Sequence, residues 1–336
     1  MDRTNRAIKL LLGVLSLVGA IISVGYTPRE SPARWQSAPL KFNPTVARLE
    51  RGRYLVEGPA HCFECHSEID WETPGAQPKA GRKGAGTVFF EDGMDWLVAP
   101  NITPDRDTGA GAWTDEQFAR AIREGVGHDG RRLFPLMPYL HFRSMSDEDL
   151  ASVVVYIRSL APVRNVLPKT VLPEPIKGSL PPLQPITGPV RGPDPANQVE
   201  RGEYLVTLAN CRSCHTPMDE RGQSLPQLAF AGGLRFKGPW GEVSSANITP
   251  DASGISYYDE ATFVKTLRTG QVGARKLSSL MPWGYFRNMT DEDLKAIYAY
   301  LRTLPPVRHR VDNTEEATTC EVCGGRHGFG DRNHSE

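Results

Sequence analysis

The sequence predicts a mainly α-helical chain of two tandem, homologous domains, joined by a Pro-rich linker and preceded by an apolar N-terminal segment. Three observations carry this prediction. The chain has 336 residues, which is room for about two domains. Long stretches of its first half return in its second half, and apolar residues recur at helical spacing within both copies. The formal net charge is zero, which gives no support for nucleic-acid binding.

The N-terminus has the layout of an export signal. Three basic residues among the first nine precede an uncharged run at 10–27. The run is long for a cleaved signal and short for a full span of ~20 residues, and no clear A-x-A cleavage site follows it. We therefore predict that residues 1–28 are a retained anchor in the inner membrane, with the rest of the chain on the periplasmic side. The alternative is a soluble periplasmic protein after signal cleavage.

The strongest signal is an internal repeat. Three segments of the first half return in the second half in the same order, which indicates two homologous domains and excludes a solenoid of short units. We place these domains at residues 45–161 and 198–309. The paired segments are 50–66 with 200–215, 101–105 with 247–251, and 136–163 with 280–307.

The segment between the repeats is rich in proline. Residues 162–195 contain ten prolines. Proline fixes φ and lacks a backbone donor, so the predicted linker, residues 162–197, should be extended and poor in helix. This composition is compatible with a semi-rigid spacer and equally with a strap that lies across one domain.

Helical patterns follow the same order in both repeats. A short helix leads into each Cys cluster. In the first copy Thr114 begins a capping box for a second helix, with Gly125 as its stop, whereas Tyr258 stands at the corresponding cap position in the second copy. A last helix begins after Ser146 in one copy and after Thr290 in the other, each followed by Asp-Glu-Asp, which suits the positive end of the helix dipole.

Both copies contain the pattern C-x-x-C-H. Two thiols at this spacing could hold zinc, form a redox disulfide or attach a haem. A zinc site would need two further ligands at equivalent positions in both copies, and His128 and His141 have no His counterpart in the second. A covalent haem c explains the pattern directly, because the His after the second Cys can bind the iron. The predicted residues are Cys62, Cys65 and His66 for haem 1 and Cys211, Cys214 and His215 for haem 2.

The other face of each iron needs a ligand that also repeats, and two Met pairs do. Met145 and Met289 directly precede the N-cap of the last helix, where an apolar residue forms a hydrophobic staple. Met137 and Met281 lie instead in loops and precede a proline that can fix the backbone. A thioether sulfur is a soft, weak ligand that suits electron transfer. The predicted axial ligands are therefore Met137 and Met281.

These motifs together resemble those of a known family. Two C-x-x-C-H repeats, each with "NITPD", a later "LMP" and a "DEDL" helix, resemble the cytochrome c subunits of membrane-bound alcohol and gluconate dehydrogenases, and the likeness covers most of residues 45–309. The resemblance implies a class I cytochrome c fold for each domain, an axial Met in the Met-Pro motif, and periplasmic electron transfer from a dehydrogenase to quinone or a terminal oxidase.

The resemblance has one departure. Well-known members of that family carry three haems, whereas two C-x-x-C-H motifs occur in this sequence. Alternatives to an electron carrier are a dihaem enzyme such as a cytochrome c peroxidase, or a haem-based sensor. Because a peroxidase needs one iron with an open position, two equivalent Met-Pro loops favour the carrier.

Residues 310–336 form a polar, Gly-rich tail without helical or strand periodicity, and we predict that it is disordered. Cys320 and Cys323 stand in "CEVCG", where a Gly replaces the His that a haem site requires. The first interpretation of these two cysteines is a disulfide or free thiols. The alternative is a metal site that they form with His327 or His334.

Overall fold

A computed structural model describes residues 40–89, 94, 96–220, 222–314 and 316–328 of the protein. The described part is mainly helical, as the sequence predicts, with five small antiparallel strand pairs between the helices. The predicted anchor, residues 1–28, lies outside the described residues. None of the helices within them is both long and apolar enough to cross a membrane.

The first domain and the linker contain six helices within the described residues. The domain also has two strand pairs, β1 with β2 and β3 with β4. In chain order the elements are α1 (Val46–Glu57), α2 (Cys62–Cys65), β1 (Ile69–Asp70), β2 (Gln77–Pro78), β3 (Thr87–Val88), β4 (Val98–Ala99), α3 (Asp115–Glu124), α4 (Tyr139–Phe142), α5 (Asp147–Arg158) and α6 (Glu174–Ser179).

The second domain repeats this helix order. Its strand pairs are β5 with β6 and β7 with β8, and a further pair, β9 with β10, follows the domain. The elements are α7 (Gln198–Leu208), α8 (Cys211–Cys214), a 3₁₀ turn (Pro226–Leu228), β5 (Arg235–Gly238), β6 (Gly241–Ser244), α9 (Glu260–Thr269), β7 (Gln271–Val272), β8 (Arg275–Lys276), α10 (Trp283–Phe286), α11 (Asp291–Thr303), β9 (Thr318–Thr319) and β10 (Arg326–His327).

The helix caps confirm most of the sequence predictions. Thr114 forms the predicted capping box at the start of α3, and Gly125 ends that helix in the left-handed region with φ 69°. Ser146 and Thr290 cap α5 and α11. The prediction that Tyr258 stands at the N-cap of α9 is wrong. Asp259 is the N-cap, and its carboxylate accepts from the N–H of Thr262.

A pair of long helices forms the centre of each domain. Helix α1 packs on α5, and α7 packs on α11. The contact is close enough to require glycine: an added Cβ at Gly52 would lie 1.9 Å from the carbonyl oxygen of Ser152, and one at Gly202 would lie 2.0 Å from that of Ala296. The repeated "ERG" tripeptide therefore marks a helix crossing at which the two backbones touch.

The Pro-rich linker lies across the first domain. The Thr170 hydroxyl accepts from the N–H of Val98 at 3.0 Å. The short helix α6 buries Ile176 beside Leu97 and Phe134 of the domain. Of the two arrangements compatible with the composition, the structure has the strap, because the few apolar residues between the prolines pack against apolar residues of the first domain.

The C-terminal segment differs from the predicted disordered tail. Residues 316–328 carry the antiparallel pair β9–β10, and Cys323 packs in an apolar cluster with Leu228 and Ala231 of the second domain. The lack of periodicity misled the prediction, because two-residue strands are too short to show one. The remaining tail residues, 329–336, lie outside the described residues.

Each domain caps a helix of the other. The Tyr204 hydroxyl, on α7 of the second domain, donates to Asp149 Oδ2 at 2.7 Å and accepts from the N–H of Ser146 at 3.0 Å. Both partners belong to the N-terminus of α5 in the first domain. Burial raises the pKa of Tyr204, so its hydroxyl stays protonated and can donate.

The equivalent residue of the first domain makes the same contact in return. The Tyr54 hydroxyl donates to Asp293 and accepts from the N–H of Thr290 at 3.3 Å, at the N-terminus of α11. The two domains are thus joined by a reciprocal pair of contacts between repeated residues, an approximate two-fold arrangement.

Replacing Tyr204 with phenylalanine should lower the free energy of unfolding by about 1–3 kcal/mol, because it leaves the buried N–H of Ser146 without its acceptor. Urea unfolding of the haem-loaded protein, followed by far-UV circular dichroism, measures this loss. Tyr257→Phe is the matched control, since that side chain is 66% exposed and should change stability by less than about 0.5 kcal/mol. Equal losses in the two variants would contradict an interdomain role for the Tyr204 hydroxyl.

Candidate haem sites

The two C-x-x-C-H motifs adopt the same backbone. The thiols lie at the ends of the one-turn helices α2 and α8, and the residue before each helix, His61 or Asn210, has positive φ. The N–H of His66 donates to the Cys62 carbonyl at 3.0 Å, and the N–H of His215 donates to that of Cys211 at 2.9 Å. Each turn thereby brings two thiols and one imidazole to a single crevice.

The imidazole of each motif is held by one backbone bond. Nδ1 of His66 donates to the carbonyl oxygen of Pro100 at 2.8 Å, and Nδ1 of His215 donates to that of Ala246 at 2.7 Å. Such a bond fixes the tautomer and leaves Nε2 as the ligand atom. Burial lowers the pKa of both imidazoles, which favours the neutral form that binds metals.

The "NITPD" loop positions these carbonyls. The Asn101 side-chain amide donates to the carbonyl of Val163 at 2.7 Å, and its oxygen accepts from the N–H of Thr103 at 2.9 Å. Asn247 makes the matching bond to Val307 at 2.9 Å. Since Pro100 directly precedes Asn101, the repeated loop holds the acceptor that orients the His. In the sequence, the repetition of "NITPD" is the only sign of this role.

The first thiol of each motif lies at the edge of the apolar core of its domain. All six cysteines belong to the described part of the chain, and no disulfide joins any two of them. Burial raises the pKa of Cys62 and of Cys211 to about 12, so these thiols are uncharged. Both side chains also contact the apolar core cluster of their own domain. Such surroundings suit a flat, apolar macrocycle joined to the protein through sulfur.

The Met-Pro loops also repeat in detail. The N–H of Tyr139 donates across Pro138 to the carbonyl of Met137 at 2.7 Å, and the N–H of Trp283 donates to that of Met281 at the same distance. Pro138 has φ −78° and ψ 46°, close to an inverse γ-turn. The proline thus fixes a tight turn that separates each Met from the helix after it.

A glycine packs against the aromatic residue that follows each Met-Pro turn. Gly125, at the end of α3, faces the Tyr139 ring, and an added Cβ there would lie 2.6 Å from it. Gly270, at the end of α9, faces the Trp283 indole, where the distance would be 2.3 Å. Both glycines also have positive φ. The same glycine therefore ends the helix and leaves space for the aromatic ring that follows the Met-Pro turn.

The two Met pairs have different surroundings. Met145 and Met289 are each only 1% exposed and lie deep in the two apolar cores. Met137 and Met281 are half-buried and lie at the edges of the same cores. A sulfur at the edge can face a cofactor in the crevice, whereas one enclosed by apolar side chains has a packing role.

Two buried polar atoms near the C-x-x-C-H and Met-Pro motifs have no hydrogen-bond partner within the described residues, as expected if a bound group lies beside them. Trp283 Nε1 and the Tyr285 hydroxyl are buried and have no hydrogen-bond partner among the described residues. Trp283 follows the Met281-Pro turn, and Tyr285 lies near Cys62 and Cys65, where burial raises the pKa of its hydroxyl. The residues of each domain thus fit a haem.

Each attachment turn contacts the other domain. The His61 ring, next to α2, packs edge-on against Phe286 of the second domain at 5.5 Å between centroids. The Ser213 hydroxyl, on α8, lies 3.1 Å from Nε2 of His141 in the first domain.

Comparison with known families agrees with this geometry. Residues 49–161 match the family described as cytochrome c, and residues 197–301 match that described as cytochrome C oxidase, cbb3-type, subunit III. The fold and the paired motifs therefore define a c-type cytochrome. The chain carries two cytochrome c domains, and two haem c groups are covalently bound to it.

Named relatives confirm the resemblance seen in the motifs. The chain is 32% identical to the fructose dehydrogenase cytochrome subunit of Gluconobacter japonicus, over 76% of this chain and 52% of that protein. It is 28% identical to the cytochrome c subunit of the quinone alcohol dehydrogenase of Gluconacetobacter polyoxogenes, over 78% and 57%. A diheme cytochrome c-type protein of Cereibacter sphaeroides is 28% identical over 81% and 93%. The chain thus spans about half the length of the two dehydrogenase subunits.

Proposed function

We propose that this protein is a periplasmic electron carrier that accepts electrons from a dehydrogenase and passes them to a quinone or a terminal oxidase. The observation that supports this best is the duplication of a complete site, with attachment turn, oriented His and Met-Pro turn, in the two domains. When bound, each haem supplies a one-electron couple at its iron. Similarity to dehydrogenase cytochrome subunits supports a dehydrogenase as the donor.

In this proposal His66 and Met137 would bind the iron of haem 1, and His215 and Met281 would bind that of haem 2. The carbonyl bonds to the two imidazoles hold Nε2 toward the crevice, and the Met-Pro turns supply the sulfurs. With a His and a Met bound, each iron would have no open position for a substrate, and the chemistry it would supply is electron transfer. A thioether ligand also raises the potential of the site.

The location belongs to the same proposal. Residues 1–28, with their basic start and apolar run, would anchor the protein to the inner membrane and leave both haem domains in the periplasm. Mass determination of the mature chain tests this part. Retention of the apolar run, with release from membranes only by detergent, is the expected result, and a chain that lacks the run would instead support a cleaved, soluble form.

Copurification tests the electron-transfer role. The affinity-tagged holoprotein, isolated from detergent-solubilised membranes of its own cells, should retain a dehydrogenase, and the substrate of that enzyme should reduce both haems. A quinone analogue should then reoxidise them. Rapid turnover of hydrogen peroxide, or a high-spin signal from one oxidised haem, would contradict the proposal in favour of an enzyme.

Substituting the axial sulfurs tests the ligand assignment. Met137→Leu keeps the side-chain volume but removes the sulfur, so the weak far-red band of Met-ligated ferric haem should fall by about half, and in the double variant with Met281→Leu it should vanish. Met145→Leu is the matched control, because that fully buried side chain should leave the band unchanged. Loss of the band in the Met145 variant would overturn the assignment.

A further inference from the structure

Outside the haem sites, four metal-binding side chains converge at the C-terminal edge of the second domain. His309 follows α11, and the other three, Cys320, Cys323 and His327, belong to the segment that carries β9 and β10. Their donor atoms all lie within 4.8 Å of one another. We propose that these four residues, here called the Cys₂His₂ cluster, bind one structural zinc ion.

Two of the distances between the donor atoms fit a tetrahedral zinc site. His309 Nε2 lies 3.3 Å from Cys320 Sγ, and Cys323 Sγ lies 3.7 Å from His327 Nε2. Zinc–sulfur bonds of about 2.3 Å and zinc–nitrogen bonds of about 2.0–2.1 Å place neighbouring ligand atoms about 3.3–3.8 Å apart in a tetrahedron. The two imidazole planes are nearly perpendicular, at 80°.

His309 is held as a metal ligand usually is. It is completely buried, and its Nδ1 donates to the carbonyl oxygen of Ala231 at 2.9 Å. This bond fixes the tautomer and orients Nε2 toward the cysteines, as backbone carbonyls do for metal-binding imidazoles. The same arrangement holds the haem-binding His66 and His215 in this protein.

The first domain provides an internal comparison. Asn165 occupies the position equivalent to His309, and its side chain donates to the carbonyl of Ala85 at 2.8 Å, the counterpart of the bond to Ala231. An amide therefore satisfies the backbone bond in the domain that lacks the Cys₂His₂ cluster. The histidine keeps this bond and adds a second nitrogen, which faces Cys320.

A second difference between the domains makes room for the imidazoles. Gly233 has φ 92°, and an added Cβ there would lie 2.6 Å from His309 Cε1 and 3.2 Å from His327 Cδ2. The equivalent residue of the first domain is Thr87, in β3. The second domain thus has an imidazole and a glycine at the two positions where the cluster needs them.

The turn between the cysteines is shaped for chelation. The N–H of Gly324 donates to the Cys320 carbonyl at 2.9 Å, and Gly324 has φ 71°, which reverses the chain directly after Cys323. The reversal returns His327 toward the thiols. Gly324, which replaces the His that a haem motif requires, thus allows the tight turn that brings the two thiols and His327 together.

The charge balance and the presence of four protein ligands favour zinc at this site. Binding of Zn²⁺ converts the two thiols to thiolates and releases two protons, while both imidazoles bind in the neutral form, so the occupied site has no net charge. Such neutrality suits a place where Cys323 and both imidazoles are buried. Four protein ligands fill a tetrahedral structural site. The ion would join the C-terminal hairpin to the end of α11 and to the loop at Ala231.

Elemental analysis of the purified holoprotein tests the proposal. We expect two irons and about one zinc per chain for the unaltered protein. In His309→Asn the zinc content should fall at least tenfold with both irons retained, because asparagine can keep the bond to Ala231 as Asn165 does to Ala85. His128→Asn, a replacement away from the cluster, should keep its zinc. Unchanged zinc in the His309 variant, or another metal in the unaltered protein, would overturn the proposal.

Alkylation provides a test that needs no variant. In the holoprotein the four haem cysteines are blocked as thioethers, so Cys320 and Cys323 are the two that can react. Iodoacetamide should label both in denaturant with a zinc chelator and no reductant, and should label neither when the folded protein is treated without the chelator. Labelling that appears only after reduction would show a disulfide in place of zinc and overturn the proposal.

Discussion

Replacing Cys62 and Cys65 with serine should remove one covalent haem and leave the other. A serine hydroxyl does not form the thioether that attaches a haem, whereas the second motif, Cys211 and Cys214, is unaltered. The intact mass under denaturing conditions should fall by about one haem, and haem absorbance per chain should fall by about half. The Cys211/Cys214 double variant should give the same result.

Loss of the haem should also destabilise the first domain. Cys62 and Met137 lie at the edge of its apolar core, so an empty crevice would leave part of that core exposed to water. We expect the free energy of unfolding of this domain to fall by more than the ~2–5 kcal/mol that a large-to-small core substitution costs. Denaturant unfolding followed by far-UV circular dichroism would show an early transition that the unaltered protein lacks.

A matched control exists in the same chain. Serine at Cys320 and Cys323 alters a C-x-x-C pair that lacks the following His, so both haems should be retained. Loss of a haem in this control would contradict the assignment of two attachment motifs, as would a Cys62/Cys65 variant that keeps both haems.

Replacing Gly52 with alanine should strongly destabilise the first domain. The new Cβ would lie 1.9 Å from the Ser152 carbonyl oxygen and 2.7 Å from Tyr156 Cβ, so α1 and α5 must move apart. Overpacking of this kind costs about 1–3 kcal/mol or more, and because a backbone atom is hit, we expect a net loss of at least about 2 kcal/mol after the ~1 kcal/mol that alanine gains in a helix. Gly202→Ala should act equally on α7 and α11, where the carbonyl of Ala296 is 2.0 Å away.

Thermal unfolding of the haem-loaded protein measures both effects. Gly178→Ala is the matched control, because it lies in helix α6 with no neighbouring atom within 4 Å of the added Cβ. This control should be neutral or slightly stabilised, since alanine restricts the unfolded chain. If Gly52→Ala were as stable as Gly178→Ala, the close helix crossing would be refuted.

The sequence predicted those parts of the protein whose chemistry is local. The C-x-x-C-H motif places three functional groups within five residues, so one turn of helix brings them together wherever it lies. Caps are equally local, which is why Thr114 was identified correctly. The one cap predicted wrongly, at Tyr258, is formed by the next residue, Asp259, whose carboxylate accepts the hydrogen bond.

Other parts depended on contacts between distant residues. The use of "NITPD" to hold the carbonyl that orients each His requires residues about thirty and sixty positions from the loop. The reciprocal contacts of Tyr54 and Tyr204 join opposite halves of the chain. Both were visible in the sequence as repeated residues, but repetition did not reveal which partner each residue contacts.

The Cys₂His₂ cluster shows most clearly the difference between local motifs and contacts between distant residues. The sequence suggested Cys320 and Cys323 as possible metal ligands with His327 or His334, and it missed His309, which aligns with Asn165 in the other repeat. That exchange of Asn for His was the available signal.

By itself, then, the sequence determined a duplicated helical cytochrome with two covalent haem motifs, because thioether attachment and helix capping depend on residues a few positions apart. The tertiary structure alone decided that the Pro-rich segment is a strap, that each domain caps a helix of the other, and that the C-terminal hairpin brings two thiols and an imidazole to His309. Those features depend on distances in space between residues far apart in the chain, and spacing along a sequence carries no information about such distances until the fold is known.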